Sequence, residues 1–336
     1  MNTKWLNLVI AFSLCIGIPI ILSGIISGGA VNDATSDVTN LFVSDQMSVQ
    51  QTTSNVAISE NSIIISVLTK DGNVEQMELN EYTTGVVLAE MPASFEIEAL
   101  RAQAVVARTY ALRRQRKNGK HDTAEVCMDP SCCQGYCTKE EYISSGGSET
   151  DYLKIKNAVE DTAYNVLIYN SELIEATYFS CSGGYTEDAS EVWGEDVPYL
   201  QAIKSPGEEH AAHFTDTITF KTADFMKRLG VGSEDSSVPL LGSITYTDGN
   251  GVDEIVVCGK TLKGTEMRKL LGLRSTAFAL TEVGDSVIIT TRGYGHRVGM
   301  SQYGADAMAV LGNTYDQILA HYYAGTELIS YTSYSD

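Results

Sequence analysis

The chemistry open to this chain is concentrated in four stretches. In GVVLAEMP, residues 85–92, Glu90 lies within an otherwise apolar run closed by Pro92. A carboxylate enters such surroundings when it is paired, bound to a ligand, or kept protonated for proton transfer. In HDTAEVCMDPSCCQGYC, His121, Cys127, Cys132, Cys133 and Cys137 place five soft ligands within seventeen positions. Thiolates with an imidazole select zinc in a tetrahedral shell. Four such ligands leave no open position for a reactive water. A structural Zn2+ that clips a loop is therefore expected, with two disulfides as the alternative.

The third stretch, VIITTRGYGHRVGMSQYGADAMAVLG, runs from strand through glycine loop to helix, with His296 between glycines. Its G-x-G-x-x-x-G spacing departs from the dinucleotide fingerprint. The glycines instead let the backbone approach a ligand or take up positive φ. His296, with little apolar packing to explain it, suits a cleft. The fourth stretch, EATYFSCSGGYTEDASEVWGEDVPYL, gathers Tyr178, Ser180, Ser182, Tyr185, Trp193 and Tyr199. Flat rings and hydroxyls line sugar-binding clefts; the same pattern also fits a core strand edge before a Gly-Gly turn.

These residues need elements to hold them. NSIIISVLTKDGNVEQMEL reads as two short strands around Asp71-Gly72, and EYTTGVVLAEM as a short helix that carries Glu90 and ends at Pro92. Ser94 then caps a long helix through FEIEALRAQAVVARTYALRRQRK, stopped by Asn118-Gly119. Between Ile97 and Leu112 its apolar residues cover nearly every side, which makes it central. Arg101 and Arg108 share one face of it. A guanidinium keeps its charge when buried, so Arg108 needs an anionic partner, either a structural one or Glu90 or an anionic substrate. Later strands (NVLIYN, LIEATYFS, SITYT, EIVVCG, SVIITT) mix with helices at TADFMKRLG, KGTEMRKLLGL and SQYGADAMAVLG. That order predicts an α+β fold, mixed antiparallel strands and helices around a central buried helix. No internal repeat of fixed period is visible.

With 23 basic against 43 acidic residues, the 336-residue chain carries a net charge of −20. This excludes the basic footprint of a nucleic-acid binder. No residue from Trp5 to Asn32 is charged, Lys4 precedes that run and Asp33 follows it. A cytoplasmic tip and transmembrane helix over 1–30 are expected, with the remainder exported; a cleaved signal peptide is the alternative. Residues 31–60 are rich in Asp, Asn, Ser, Thr and Gln and read as a flexible stalk. The exported domain then occupies 61–336, with the zinc-clipped insertion near 118–150.

Read with GVVLAEMPASFEIEALRAQAVVARTYAL, these stretches resemble the stage II sporulation protein D family. Its pattern is a Glu-Met-Pro before an Ala-rich Gln-Ala-Val-Ala-Ala-Arg-Thr-Tyr helix, then Ser-Gly-Gly and Trp-Gly segments, then a terminal Gly-Tyr-Gly-His-Gly-Val-Gly-Met-Ser-Gln-Tyr-Gly-Ala. The match runs from about Ile63 to Thr326. Arg297 stands where the family carries glycine, and Cys181 where serine is common. Cys132 stands where some members carry histidine, another zinc-ligand type, which places it ahead of Cys137 as fourth ligand.

The resemblance implies a membrane-anchored lytic transglycosylase that cuts peptide-stripped peptidoglycan strands between mother cell and forespore. It implies a complex with sporulation proteins P, an amidase, and M. Glu90 takes the position of the acid and base, and Arg108, Tyr178, Ser180, Ser182, Tyr199, His296, Ser301 and Gln302 are the expected substrate contacts. Such an acid must hold its proton near neutrality, above the usual ~4.3. Burial among Val86, Val87, Leu88, Ala89 and Met91 is expected to do this, and Arg108 then orients substrate rather than pairing with Glu90. Relatives of the domain include amidase enhancers, so a non-catalytic role in stimulating an amidase is the alternative. A zinc amidase fits less well, because its metal would need an open position.

Overall fold

The Asp71-Gly72 turn joins β1 (Ile64–Leu68) antiparallel to β2 (Val74–Glu78), with Ile64 opposite Glu78. The computed structural model describes residues 63–333 apart from 118, 213 and 233–236. The expected anchor and stalk lie outside the described residues; among the described residues no helix is long and apolar enough to cross a membrane.

Glu78 caps α1 (Leu79–Glu90), its carboxylate accepting from the Asn80 and Glu81 amides. Met91 turns extended at the helix end, as Pro92 requires. The next helix, α2 (Ile97–Arg116), begins two residues later than a cap at Ser94 predicts. Pro92 to Phe95 forms a turn closed by the Phe95 amide on the Pro92 carbonyl, and the Glu96 amide is taken by Asp306. A partner remote in sequence thus replaces the local cap. From Ala99 to Leu112 α2 is buried except at Arg101, and it contributes to two hydrophobic clusters, one on each side.

The insertion follows. β3 (Val126–Cys127) adds to β1 in parallel, then come α3 (Lys139–Ser144) and α4 (Glu149–Asp161), which packs on α2. β4 (Asn165–Tyr169) turns through Asn170 and Ser171, both at positive φ, into β5 (Glu172–Leu173). Next are β6 (Tyr178–Phe179) and α5 (Ala189–Trp193).

The following eight elements form two interleaved copies of one unit. The first is β7 (Thr215–Lys221), α6 (Thr222–Leu229), β8 (Leu241–Tyr246) and β9 (Val252–Val257). The second is β10 (Lys260–Lys263), α7 (Gly264–Leu271), β11 (Phe278–Val283) and β12 (Ser286–Arg292). Each hairpin takes its third strand from the other copy, giving sheets β10-β9-β8 and β11-β12-β7. Phe225 and Leu229 of α6 match Met267 and Leu271 of α7 in a shared core, and both helices stop at a left-handed glycine.

The chain returns through β13 (Met300–Ser301), parallel to β6, into α8 (Gln302–Val310) and α9 (Tyr315–Tyr322), both packed on α2. It ends with β14 (Glu327–Ser330) against β4. The fold is α+β, and α2 is its axis.

Candidate functional site

Glu90 is the last residue of α1 and lines a cleft of about 360 Å³. Opposite walls come from Pro130 and Cys133, from Tyr178 to Ser180, from Tyr294 to His296, and from Gln302. Its Oε1 accepts the Gly135 amide at 2.7 Å. Desolvation raises the Glu90 pKa, while the Gly135 amide and the nearby Tyr178 hydroxyl and Gln302 amide act in the opposite sense. The negative end of the α1 macrodipole also disfavours a carboxylate there. The direction is the one expected from sequence, although most of the apolar frame turns inward. Val86, Val87, Leu88 and Met91 point into the two cores, and Ala89 is exposed.

A polar chain backs this carboxyl. The Tyr82 hydroxyl donates to Gln134 Oε1 at 3.2 Å, and Gln134 Nε2 donates to the Tyr178 hydroxyl at 3.3 Å. Gln134 and Gly135 directly follow Cys133, so their placement depends on the cysteine loop. There His121, Cys127, Cys132 and Cys133 bring their ligand atoms within 4.8 Å of one another. His121 Nε2 lies 3.8 Å from Cys132 Sγ and 3.5 Å from Cys133 Sγ, and the two sulfurs are 4.0 Å apart. Those separations suit the edges of a tetrahedron with metal–sulfur bonds of about 2.3 Å. All four cysteines of the loop are free thiols, and Cys137 Sγ points to the Thr138 carbonyl instead. The donor set fits zinc with every position filled.

His296 lies in the cleft, edge-on to Phe179 and 5.2 Å from the Trp193 ring. Its Nδ1 accepts the Val298 amide at 3.1 Å, which fixes the tautomer. Desolvation, with Arg268 adding to it, lowers its pKa to about 4. The imidazole is neutral at physiological pH.

The glycine loop brings chain segments together rather than cradling a ligand. Tyr294 and Cys181 exchange two backbone hydrogen bonds of 2.7 and 3.1 Å. A Cβ on Gly299 would stand 2.1 Å from the Thr177 carbonyl oxygen. Arg297 holds the glycine-like conformation, φ +69°, although it has a side chain. That side chain, 1% exposed, bonds to the Ser182 and Tyr185 carbonyls and meets Glu187 Oε1 at 3.0 Å. A buried ion pair with several hydrogen bonds offsets the backbone strain. Glu208, also buried, accepts the amides of Ser182 and Gly183 and the Ser182 hydroxyl on one oxygen. It sets the Ser-Gly-Gly turn behind Ser180.

The structure brings Glu90, Tyr178, Ser180, His296 and Gln302 to one cleft. It corrects four expected contacts. Arg108 is fully buried and, among the described residues, forms no salt bridge, though the charge of Glu78 favours it: it donates to the carbonyls of Val159 and Thr162 at the C-terminus of α4, to that of Asn165 at the start of β4, and to Asn80 Oδ1. A cation there satisfies orphan helix carbonyls and the macrodipole. Ser182 is spent on Glu208, and Tyr199 packs on Tyr169 while its hydroxyl oxygen accepts the Glu175 amide. Ser301 caps α8 through the Gly304 amide. Arg101 pairs with Glu98 and Asp161 away from the cleft. Gln134, Gly135, Glu187 and Glu208 escape a sequence reading, because their partners are backbone groups or side chains remote in the chain.

Residues 69–169 match the family described as stage II sporulation protein. Stage II sporulation protein D of Bacillus subtilis (strain 168) is 43% identical over 265 residues, 77% of each chain. Stage II sporulation protein D of Bacillus amyloliquefaciens is 39% identical, covering 81% of this chain and 80% of its own. An amidase enhancer of Bacillus subtilis (strain 168) is 31% identical over 74% of this chain and 40% of its own length. With its motifs in order and two thirds or more of these D proteins covered, the chain belongs to the stage II sporulation protein D family.

Proposed function

We propose that the chain is a lytic transglycosylase that cuts peptide-stripped peptidoglycan strands with Glu90 as its only acid and base. One observation carries this reading: among the described residues lining the cleft, Glu90 is the sole carboxylate. Glycoside hydrolysis uses two, one of them to activate water or attack the sugar. A single carboxyl suffices when the nucleophile belongs to the substrate. Glu90 gives its proton to the oxygen leaving toward N-acetylglucosamine. It then takes the proton of the muramic acid C6 hydroxyl as that oxygen closes on C1. The product is a 1,6-anhydro end, and no water is consumed.

The surroundings of Glu90 suit both halves of this cycle. Desolvation favours the protonated, neutral acid. The Gly135 amide, Tyr178 and Gln302 favour the carboxylate that the first transfer leaves. Gln302 Nε2 is buried with no hydrogen bond at full geometry, so besides favouring the Glu90 carboxylate it has a hydrogen to give a sugar oxygen. His296, neutral, and Phe179 offer ring faces. Zinc bound by His121, Cys127, Cys132 and Cys133 would supply rigidity to the loop that presents Gln134 and Gly135.

The membrane anchor over 1–30, a location between mother cell and forespore, and association with sporulation proteins P and M belong to the same proposal. A second reading has its own support in the relative named amidase enhancer: a domain that binds a cell-wall amidase and does not cut. Incubating the purified protein with stripped glycan strands and weighing the fragments decides. Anhydro ends, one water lighter than hydrolysis products and absent with Glu90→Gln, are expected. Uncut strands together with a faster amidase would establish the enhancer instead.

A further inference from the structure

Trp193 stands beside two depressions. The cleft reaches it through His296, whose ring lies 5.2 Å from the indole. A second cavity, of about 260 Å³, is lined by the chain neighbours of Trp193, Val192 and Gly194. The indole itself is 45% exposed. A tryptophan of that exposure, held at the end of α5 by the left-handed Gly194, is a flat platform with no core to fill.

The second cavity has the polar groups that recognise hydroxyl and acetamido substituents. Glu187 belongs to its lining, and its Oε1 is occupied by Thr247, Gly251 and Arg297. The other oxygen, Oε2, is buried and accepts from nothing. Thr265 stands in the first turn of α7, whose N-terminus no side chain caps. Backbone amides there remain available as donors. Glu187, Glu191 and Asp253 give the lining an acidic balance, with Lys263 held by Asp253 and Glu254. An anion is disfavoured at such a site. The lactyl carboxylate of a muramic acid residue is an anion; N-acetylglucosamine carries none.

We propose that Trp193 and this cavity form a distal subsite for an N-acetylglucosamine residue of the strand bound at Glu90. The proposal rests on the glycan-cutting reading given above. Trp193 stacks on the sugar ring that crosses between the depressions, and the cavity takes the next neutral sugar. Affinity then rises with strand length beyond what the cleft alone supplies.

The test uses peptide-stripped glycan strands, short and long, titrated calorimetrically against the protein carrying Glu90→Gln so that nothing is cut. Trp193→Ala removes the platform. Thr265→Trp fills the cavity from an exposed helix position, away from the cleft. Each variant is expected to weaken long-strand binding about tenfold, the worth of one lost ring contact. Short-strand binding and melting temperature are expected to stay unchanged. Either variant failing to separate the two lengths overturns the subsite and leaves the cutting reading intact. Strands of neither length binding to the parent protein would remove the cutting reading itself.

Discussion

Glu90 and Gly135, forty-five positions apart in the chain, are joined by one 2.7 Å hydrogen bond from amide to carboxylate oxygen. Gly135 follows Cys133, a candidate zinc ligand, by two positions, so the loop that could hold zinc also sets the electrostatics of the candidate acid. A Cβ at Gly135 would lie 2.9 Å from Glu90 Oε1 and 3.4 Å from the Ala89 Cβ. Gly135→Ala is expected to displace the carboxyl and slow glycan cleavage by about ten- to a hundredfold. The melting temperature should barely change, and fragment analysis with thermal denaturation checks both.

Glu90→Gln is expected to reduce cleavage by at least about a hundredfold. Because burial raises the Glu90 pKa, the folded state holds this proton more tightly than the unfolded chain. The associated stability is fully present below the ordinary carboxyl value of 4.5 and is lost as pH rises through the folded value. The variant should therefore lose this pH dependence and be no less stable near neutrality. Melting temperatures of both proteins across the acidic to neutral range test it. Cleavage by the parent protein should fall on the alkaline side as Glu90 ionises.

Zinc analysis and chelation address the cysteine loop. One zinc per chain is expected, with a lower melting temperature and faster proteolysis near residues 121–137 after its removal. Serine at Cys127, Cys132 or Cys133 should abolish binding, whereas Cys137→Ser should retain it. Equal metal loss in Cys137→Ser would overturn the ligand set.

Arg297 and Arg108 are both buried arginines, and neither faces the cleft. Arg297→Ala leaves Glu187 uncompensated and should destabilise by about 3–5 kcal/mol. Arg297→Gly also removes the left-handed strain at φ +69° and should recover about 1 kcal/mol of that loss. Chemical denaturation of the two variants isolates the backbone contribution.

Arg108→Met strips the α4 carbonyls of their donor and should cost at least about 2 kcal/mol. The KM for glycan of the folded fraction should not move. A raised KM would put Arg108 back among substrate contacts.

Local patterns revealed much of this fold. The β1–β2 hairpin follows from Asp71-Gly72, α1 ends as Pro92 dictates, and α2 is central because apolar residues cover its circumference. Glu90, Tyr178, Ser180, His296 and Gln302 share a cleft, whereas Arg108 does not, since the partners of a buried guanidinium are backbone carbonyls that no pattern marks. Helix α4 was not anticipated, because Ile155, Ala158 and Val159 are its only buried residues and make a narrow stripe. The duplicated unit was missed for a geometric reason. Its helices open 42 residues apart, at Thr222 and Gly264, but its last strands open 34 apart, at Val252 and Ser286. Periodicity searches need a constant interval.

The interleaving of that unit bears on how the chain matures. β7 waits for β12, the final strand of the second copy, before its sheet can close. A polypeptide cut short before Arg292, during synthesis or by a protease, leaves the early strand without its mate and exposes bare edges prone to sticking. The module is in effect latched last to first, so its first strand is covered only once its last one is in place.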